Sequence, residues 1–275
     1  MVMGLENKFY KNIILTLLIL SANSAQEVQN LSNNQIPDLI DAVGSAIVMI
    51  LAEGDNYKDK TQGSGVIVNN GNFVITNAHV VTGARKVTIK FLDGSKQTVY
   101  GYSSEDRSRD LVSIKIKNNT DIHSVSLKSS NSVKVGESVL AIGNPQGLSH
   151  SVSEGIISGK REFEKGINVL QTTTPISPGS SGGGLFDMDG NLIGITSFGR
   201  KGGQNLNFAY PSEFIKPLLN HSKYNSFKDL KEYGDRGSSV ENITVFVTRT
   251  GKKFHKYGCS YLRKSSTPIK FSEAK

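Results

Sequence analysis

From Ala46 to Tyr210 short apolar, β-branched runs alternate with polar and glycine-rich breaks. Ala46-Ile47-Val48-Met49-Ile50-Leu51, Lys86-Val87-Thr88-Ile89-Lys90-Phe91 and Ser138-Val139-Leu140-Ala141-Ile142 have the length and composition of strands. Leu92-Asp93-Gly94-Ser95 and Asp187-Met188-Asp189-Gly190-Asn191 supply hairpin turns. Many short strands with frequent turns predict an all-β protein built of β-barrels. Helical periods are few. Pro37–Val43 has proline in its first turn and Ile36, Leu39, Ile40 and Val43 on one face. Pro211–Leu219 reads as a closing helix capped by Ser212. These patterns place one domain at 37–220, a polar mobile segment at 25–36, a linker at 221–242 and a small module at 243–275.

Candidate chemistry sits at the ends of the predicted strands. Phe73-Val74-Ile75-Thr76-Asn77-Ala78-His79 delivers a histidine at the end of an apolar run, and Asp110 stands just before Leu111-Val112-Ser113-Ile114-Lys115-Ile116. Ser177-Pro178-Gly179-Ser180-Ser181-Gly182-Gly183-Gly184-Leu185 surrounds a serine with glycines. A serine hydroxyl needs a base, an oxyanion site and a tightly shaped backbone before it acts as a nucleophile. Glycines permit such a backbone, which can aim the N–H groups of Gly179 and Ser181 at one point. Taken singly, His79 also fits a capped strand end, Asp110 a turn, and the glycine run a surface loop. Their joint order, His79, Asp110, Ser181, is the chymotrypsin order of a catalytic triad.

Further phrases join these: Gly63-Ser64-Gly65-Val66-Ile67-Val68, Ala141-Ile142-Gly143-Asn144-Pro145-Gln146-Gly147, Ser153-Glu154-Gly155-Ile156-Ile157-Ser158, Gly190-Asn191-Leu192-Ile193-Gly194-Ile195 and Asn207-Phe208-Ala209-Tyr210-Pro211. Together they make Pro37–Leu219 resemble the protease domain of HtrA-type (Deg-type) trypsin-like serine proteases of the chymotrypsin fold family. Two departures stand in the serine loop: Ser180 where the family usually has Asn, and Gly184 where it often has Pro or Ala. Neither removes a catalytic atom.

The resemblance implies a chymotrypsin-like double β-barrel of two six-stranded barrels, with His79 and Asp110 on the first and Ser181 on the second. It implies an oxyanion hole of the Gly179 and Ser181 N–H groups, polypeptide substrates, no cofactor and no catalytic metal. Pro175, six residues before the serine, would floor the pocket for the P1 side chain, which argues for an uncharged P1. Ser197, Phe198 and Gly199 resemble the strand that pairs with substrate backbone. Members of the family often form homo-oligomers, and many carry a PDZ domain. No PDZ-like segment is expected here.

Composition and charge alter the picture at the two ends. Lys8 and Lys11 precede the apolar run Ile13–Leu20, and the small residues Ser21-Ala22-Asn23-Ser24-Ala25 follow. That order predicts a signal peptide over 1–24 and a secreted or periplasmic protein. The run is far shorter than the roughly 20 residues needed to span a bilayer. With Cys259 as the single cysteine, no intramolecular disulfide can form and the core must hold by packing.

Of the net charge of +8, residues 243–275 carry +7, which points to contact between that module and anionic surfaces or polymers. The module, with its Tyr257-Gly258-Cys259, Tyr261-Leu262 and Thr267-Pro268-Ile269, resembles a small unit of secreted bacterial proteins in which His and Cys precede a Cys-x-x-Cys pair. His255 and Cys259 alone cannot close a tetrahedral metal site. Two functional readings result. The first is a secreted serine endopeptidase acting on exported or misfolded polypeptides; the second is a non-catalytic binding protein on a protease fold. Retention of all three triad residues separates them, because a binding protein has no need of the set.

Overall fold

Burial is nearly continuous along most strands, as in Phe73–Asn77 and Gly184–Asp187, and alternates along Lys86–Lys90. In a computed structural model the described residues are 36–55, 59–117, 123–144, 151–163, 166–199, 206–219, 224–230, 244–247, 254–255 and 267–270. The signal peptide expected over 1–24, the segment 25–35 and Cys259 lie outside them. Chain contacts divide the protein into Met1–Ala42 and Val43–Lys275. The helix α1 spans residues 36–44, with Leu39 and Val43 buried.

The second unit holds two large antiparallel sheets. The first contains β1 (Ile47–Glu53), β2 (Lys60–Val68), β3 (Phe73–Asn77), β4 (Lys86–Lys90), β5 (Lys96–Val99), β7 (Ser104–Asp106) and β8 (Leu111–Lys115), in the order β5-β4-β1-β2-β3-β8-β7. Ile50, Ile67, Ile75, Ile89, Leu111 and Ile114 are fully buried there. The second contains β9 (Ser138–Gly143), β10 (Ser151–Phe163), β11 (Ile167–Thr172), β12 (Gly184–Asp187), β13 (Leu192–Gly199) and β14 (Asn207–Pro211), closed as the barrel β10-β11-β14-β13-β12-β9. Val139, Ala141, Ile157, Leu170, Leu185 and Ile193 pack its interior.

The double-barrel expectation holds with one correction. Among the described residues the first sheet is open rather than a closed six-stranded barrel. Its closing strand is interrupted at Ser103, and β6 (Gly101–Tyr102) pairs instead with β15 (Asn225–Ser226). This pairing also corrects the linker expected over 221–242. Residues 224–230 belong to the fold, because Phe227 is fully buried and stacks on Tyr102 at 6.2 Å. The expected closing helix is two 3-10 turns, Ser212–Phe214 and Lys216–Leu219, and the Ser212 hydroxyl donates to the Lys128 carbonyl rather than capping. Within the small module, Thr244–Val247 pairs on one side with Phe254–His255 and on the other with Thr267–Lys270.

Candidate active site

Strand β3 ends in the single helical turn α2 (Ala78–Val81), which lifts His79 out of the sheet while Ala78, Val80 and Val81 stay buried. Asp110 is the last residue of the loop joining β7 to β8, with a φ of 56°. Its carbonyl accepts the Ala78 N–H at 2.9 Å and the Asn77 side-chain amide at 3.0 Å, so the two loops are locked together. One carboxylate oxygen of Asp110 accepts the His79 backbone N–H at 3.0 Å, and the other lies 2.6 Å from His79 Nδ1. Asp110 is 2% exposed whereas the His79 side chain is 46% exposed. A buried carboxylate so placed orients the imidazole ring.

The serine loop is shaped by its own turn chemistry. Ser180 N–H donates to the Ser177 carbonyl at 2.9 Å, with Pro178 second and Gly179 third at a φ of 96°. That is a type II turn, whose third position needs positive φ. Gly182 is equally constrained, since its φ is 85° and a Cβ there would run into the Ser64 carbonyl and Thr76 Oγ1. Ser180, Gly182 and Gly183 use their N–H groups on Ser177, Thr196 and Ser180 carbonyls respectively. Among the described residues no backbone acceptor takes the N–H of Gly179 or Ser181.

Ser64, on β2 of the first sheet, ties this loop down. Its hydroxyl donates to the Gly179 carbonyl at 2.7 Å and accepts the Asn144 N–H at 2.8 Å, while its own N–H donates to the Ser181 carbonyl at 2.8 Å. Neighbouring Gly63 is where the two halves touch, because a Cβ added there would meet Val80 at 2.6 Å and the Ser181 carbonyl at 3.1 Å. The serine loop therefore abuts the turn that carries His79. The Ser181 hydroxyl itself donates to the Ser197 carbonyl at 2.9 Å. Strand β13 bulges between Thr196 and Phe198, which turns that carbonyl toward the serine. Asp110 and His79 are thus brought into contact, whereas the Ser181 hydroxyl is engaged by the Ser197 carbonyl.

The residues expected to meet substrate lie around this point. The Pro175 carbonyl accepts Ser153 Oγ at 2.8 Å, and Pro175 lines a cavity of about 200 Å³ together with Ile142, Val152, Ser177 and Ser180. Ser197 is buried. Phe198 and Gly199 pair through their backbones with Phe208 and Asn207 of β14, and the Phe198 side chain lies outside the described set. Strand β12 pairs with β13 only as far as Ile195, so the edge of Ser197–Gly199 away from β14 has no strand on it among the described residues. No group of His, Cys, Asp and Glu able to hold a metal ion occurs among those residues.

Ser64, Thr76 and Thr196 were not singled out as site residues by the sequence reading. Each is a buried hydroxyl serving the serine loop: Thr76 Oγ1 donates to the Ser64 carbonyl at 2.6 Å and Thr196 Oγ1 to the Ser180 carbonyl at 2.8 Å. The available signal was a small polar residue set within an apolar run, as in Gly63-Ser64-Gly65-Val66.

A family model for the trypsin-like peptidase domain matches residues 63–195. A probable periplasmic serine endoprotease, DegP-like, of Pseudomonas fulva is 39% identical over 176 residues, covering 62% of this chain and 36% of its own length. An anti-sigma-I factor of Acetivibrio thermocellus is 30% identical over 212 residues, covering 76% of this chain and 30% of its own. The solved structure of an HtrA-type protease with a tripeptide superposes with a TM-score of 0.60 at 29% identity, covering 66% of this chain and 61% of that one. The chain spans just over a third of the length of the DegP-like relatives it matches. Through its two-sheet domain the chain is similar to the HtrA-type trypsin-like serine proteases.

Proposed function

We propose that this chain is a serine endopeptidase that cleaves exported or misfolded polypeptides outside the cytoplasm, using His79, Asp110 and Ser181. The observation that carries this reading is the 2.6 Å couple between His79 and a buried Asp110, together with a serine turn in which, among the described residues, the N–H groups of Gly179 and Ser181 have no backbone acceptor. Periplasmic DegP-like relatives and a signal-like start support export.

In the reaction the Ser181 hydroxyl leaves the Ser197 carbonyl and turns to His79 Nε2. His79 takes the proton as Oγ attacks the substrate carbonyl, and Asp110 stabilises the imidazolium. The Gly179 and Ser181 N–H groups receive the oxyanion. His79 then protonates the leaving amine, and water repeats the sequence on the acyl-enzyme. The resting hydrogen bond to Ser197 is a small obstacle. A neutral hydrogen bond nets about 1 kcal/mol, whereas one oxyanion donor contributes about 3–4 kcal/mol to the transition state. Substrate backbone adds to the open edge of Ser197–Gly199 as an extra strand, and an uncharged P1 side chain fits beside Pro175.

The test is hydrolysis of casein and short peptides by the wild type and by Ser181→Ala. Turnover by the wild type and its loss in the folded variant are expected. Equal turnover, or none by either, would favour the reading as a binding protein on a protease fold.

A further inference from the structure

Asp110 has an unusual backbone, and something must hold it there. It is one of the described non-glycine residues with positive φ, a conformation that residues bearing a side chain resist and that aspartate, like asparagine, resists less than most. Strands β7 and β8 close with the pair Asp106 and Leu111, so Arg107–Asp110 form the whole loop. Inside that loop one Asp106 oxygen accepts Ser108 N–H at 3.0 Å, Ser108 Oγ at 2.6 Å and Arg109 N–H at 3.2 Å. The other accepts Arg109 Nη1 at 2.6 Å. Burial alone would raise the Asp106 carboxyl, but the donors from Ser108 and Arg109 outweigh it and hold the group below the usual carboxylate range.

Arg109 also reaches across the molecule. Its guanidinium lies over the Phe214 ring, 3.8 Å from the centroid. Phe214 belongs to the turn Ser212–Phe214 that follows β14 of the second barrel. That turn is itself pinned, because Glu213 accepts Ser130 N–H at 3.1 Å and Ser130 Oγ at 2.7 Å. An exposed ion pair would contribute little. Here the arginine and aspartate are only 26% and 20% exposed, and the pair is closed by an aromatic face.

We propose that Asp106 and Arg109 are positioning residues that fix Asp110 beneath His79 by clamping its loop onto Phe214 of the opposite barrel. The proposal rests on the reading of His79, Asp110 and Ser181 as a triad. Neither residue touches substrate. Each acts through Asp110, and the clamp joins the half that carries the base to the half that carries the nucleophile.

The experiment compares Arg109→Leu, Arg109→Lys and Phe214→Leu with the wild type. It measures peptide kcat and KM, melting temperature, and the low-field proton resonance of the His79 Nδ1–H shared with Asp110. Arg109→Leu should lower kcat about tenfold with KM within about twofold, the scale expected of a small misplacement, and should weaken the low-field resonance. Arg109→Lys should recover part of both. Phe214→Leu removes the clamp from the other side and decides the matter if Arg109→Leu does not fold. A lowered melting temperature with unchanged kcat and resonance would overturn the proposal. An inert wild type would refute the protease reading instead, and the resonance, which needs no turnover, would still decide the clamp.

Discussion

Replacing Ser64 by alanine should damage catalysis from a residue that touches no substrate. The Ser64 hydroxyl is fully buried and joins the first sheet to two points of the second barrel, the Gly179 carbonyl and the Asn144 N–H. Alanine fits the space but makes neither bond. A buried polar group left without a partner costs about 1–3 kcal/mol. Asn144 is buried and loses its acceptor, whereas half-exposed Gly179 can recover water, so a stability loss of about 2 kcal/mol is expected. For a domain of this size that is a fall in melting temperature of about 4–8 °C. The backbone bond from Ser64 N–H to Ser181 remains, so the serine loop loosens at Gly179 rather than detaching. Gly179 carries a proposed oxyanion donor, and misplacing one donor costs about 10²-fold in kcat. The assay pairs thermal melting with peptide kcat and KM below the melting range. Normal kcat in a destabilised variant would refute the link from Ser64 to the oxyanion loop. Unchanged melting would refute the hydrogen bonding itself.

Gly182→Ala should destabilise by about 2–4 kcal/mol through its positive φ and overlap with Ser64 and Thr76, read by chemical denaturation; near-wild-type stability would contradict the packing. Asp187 gives a pH prediction. Burial would raise its carboxyl, but hydrogen bonds from Lys128 and Asn191 outweigh this and hold it below the usual range. A depressed folded value contributes stability above the unfolded value of about 3.9, lost as pH falls through the folded value. Melting temperatures of wild type and Asp187→Asn should therefore differ at pH 7 and converge in acid, and a constant gap would exclude the linkage. Deleting residues 243–275 should leave peptide cleavage intact and abolish low-salt retention on anionic vesicles, because +7 of the net charge leaves with them; equal binding by both forms would make the basic surface incidental.

The strands and triad candidates were legible because they depend on local pattern. β1, β4 and β9 alternate or run apolar over strand length, and His79 and Asp110 stand within two residues of a strand while Ser181 lies in a glycine-rich loop just before one. What was not legible depends on distant partners. Nothing local shows that Ser64 meets Gly179, which lies 115 residues further on, or that Arg109 stacks on Phe214. Asn225 and Ser226 read as linker because their polarity is visible in sequence while their pairing with Gly101–Tyr102 is not. Pro211–Leu219 read as a helix because its apolar spacing suits one, yet Pro217 interrupts the ladder and the chain takes 3-10 turns instead.

In the proposed mechanism Ser181 is a nucleophile activated by the His79–Asp110 couple. Labelling with a fluorophosphonate, followed by intact mass and peptide mapping, tests it most directly. One adduct per chain on Ser181, abolished in Ser181→Ala and strongly slowed in His79→Ala, is the predicted result. No adduct on the folded wild type, or one whose rate is indifferent to His79, would contradict the account.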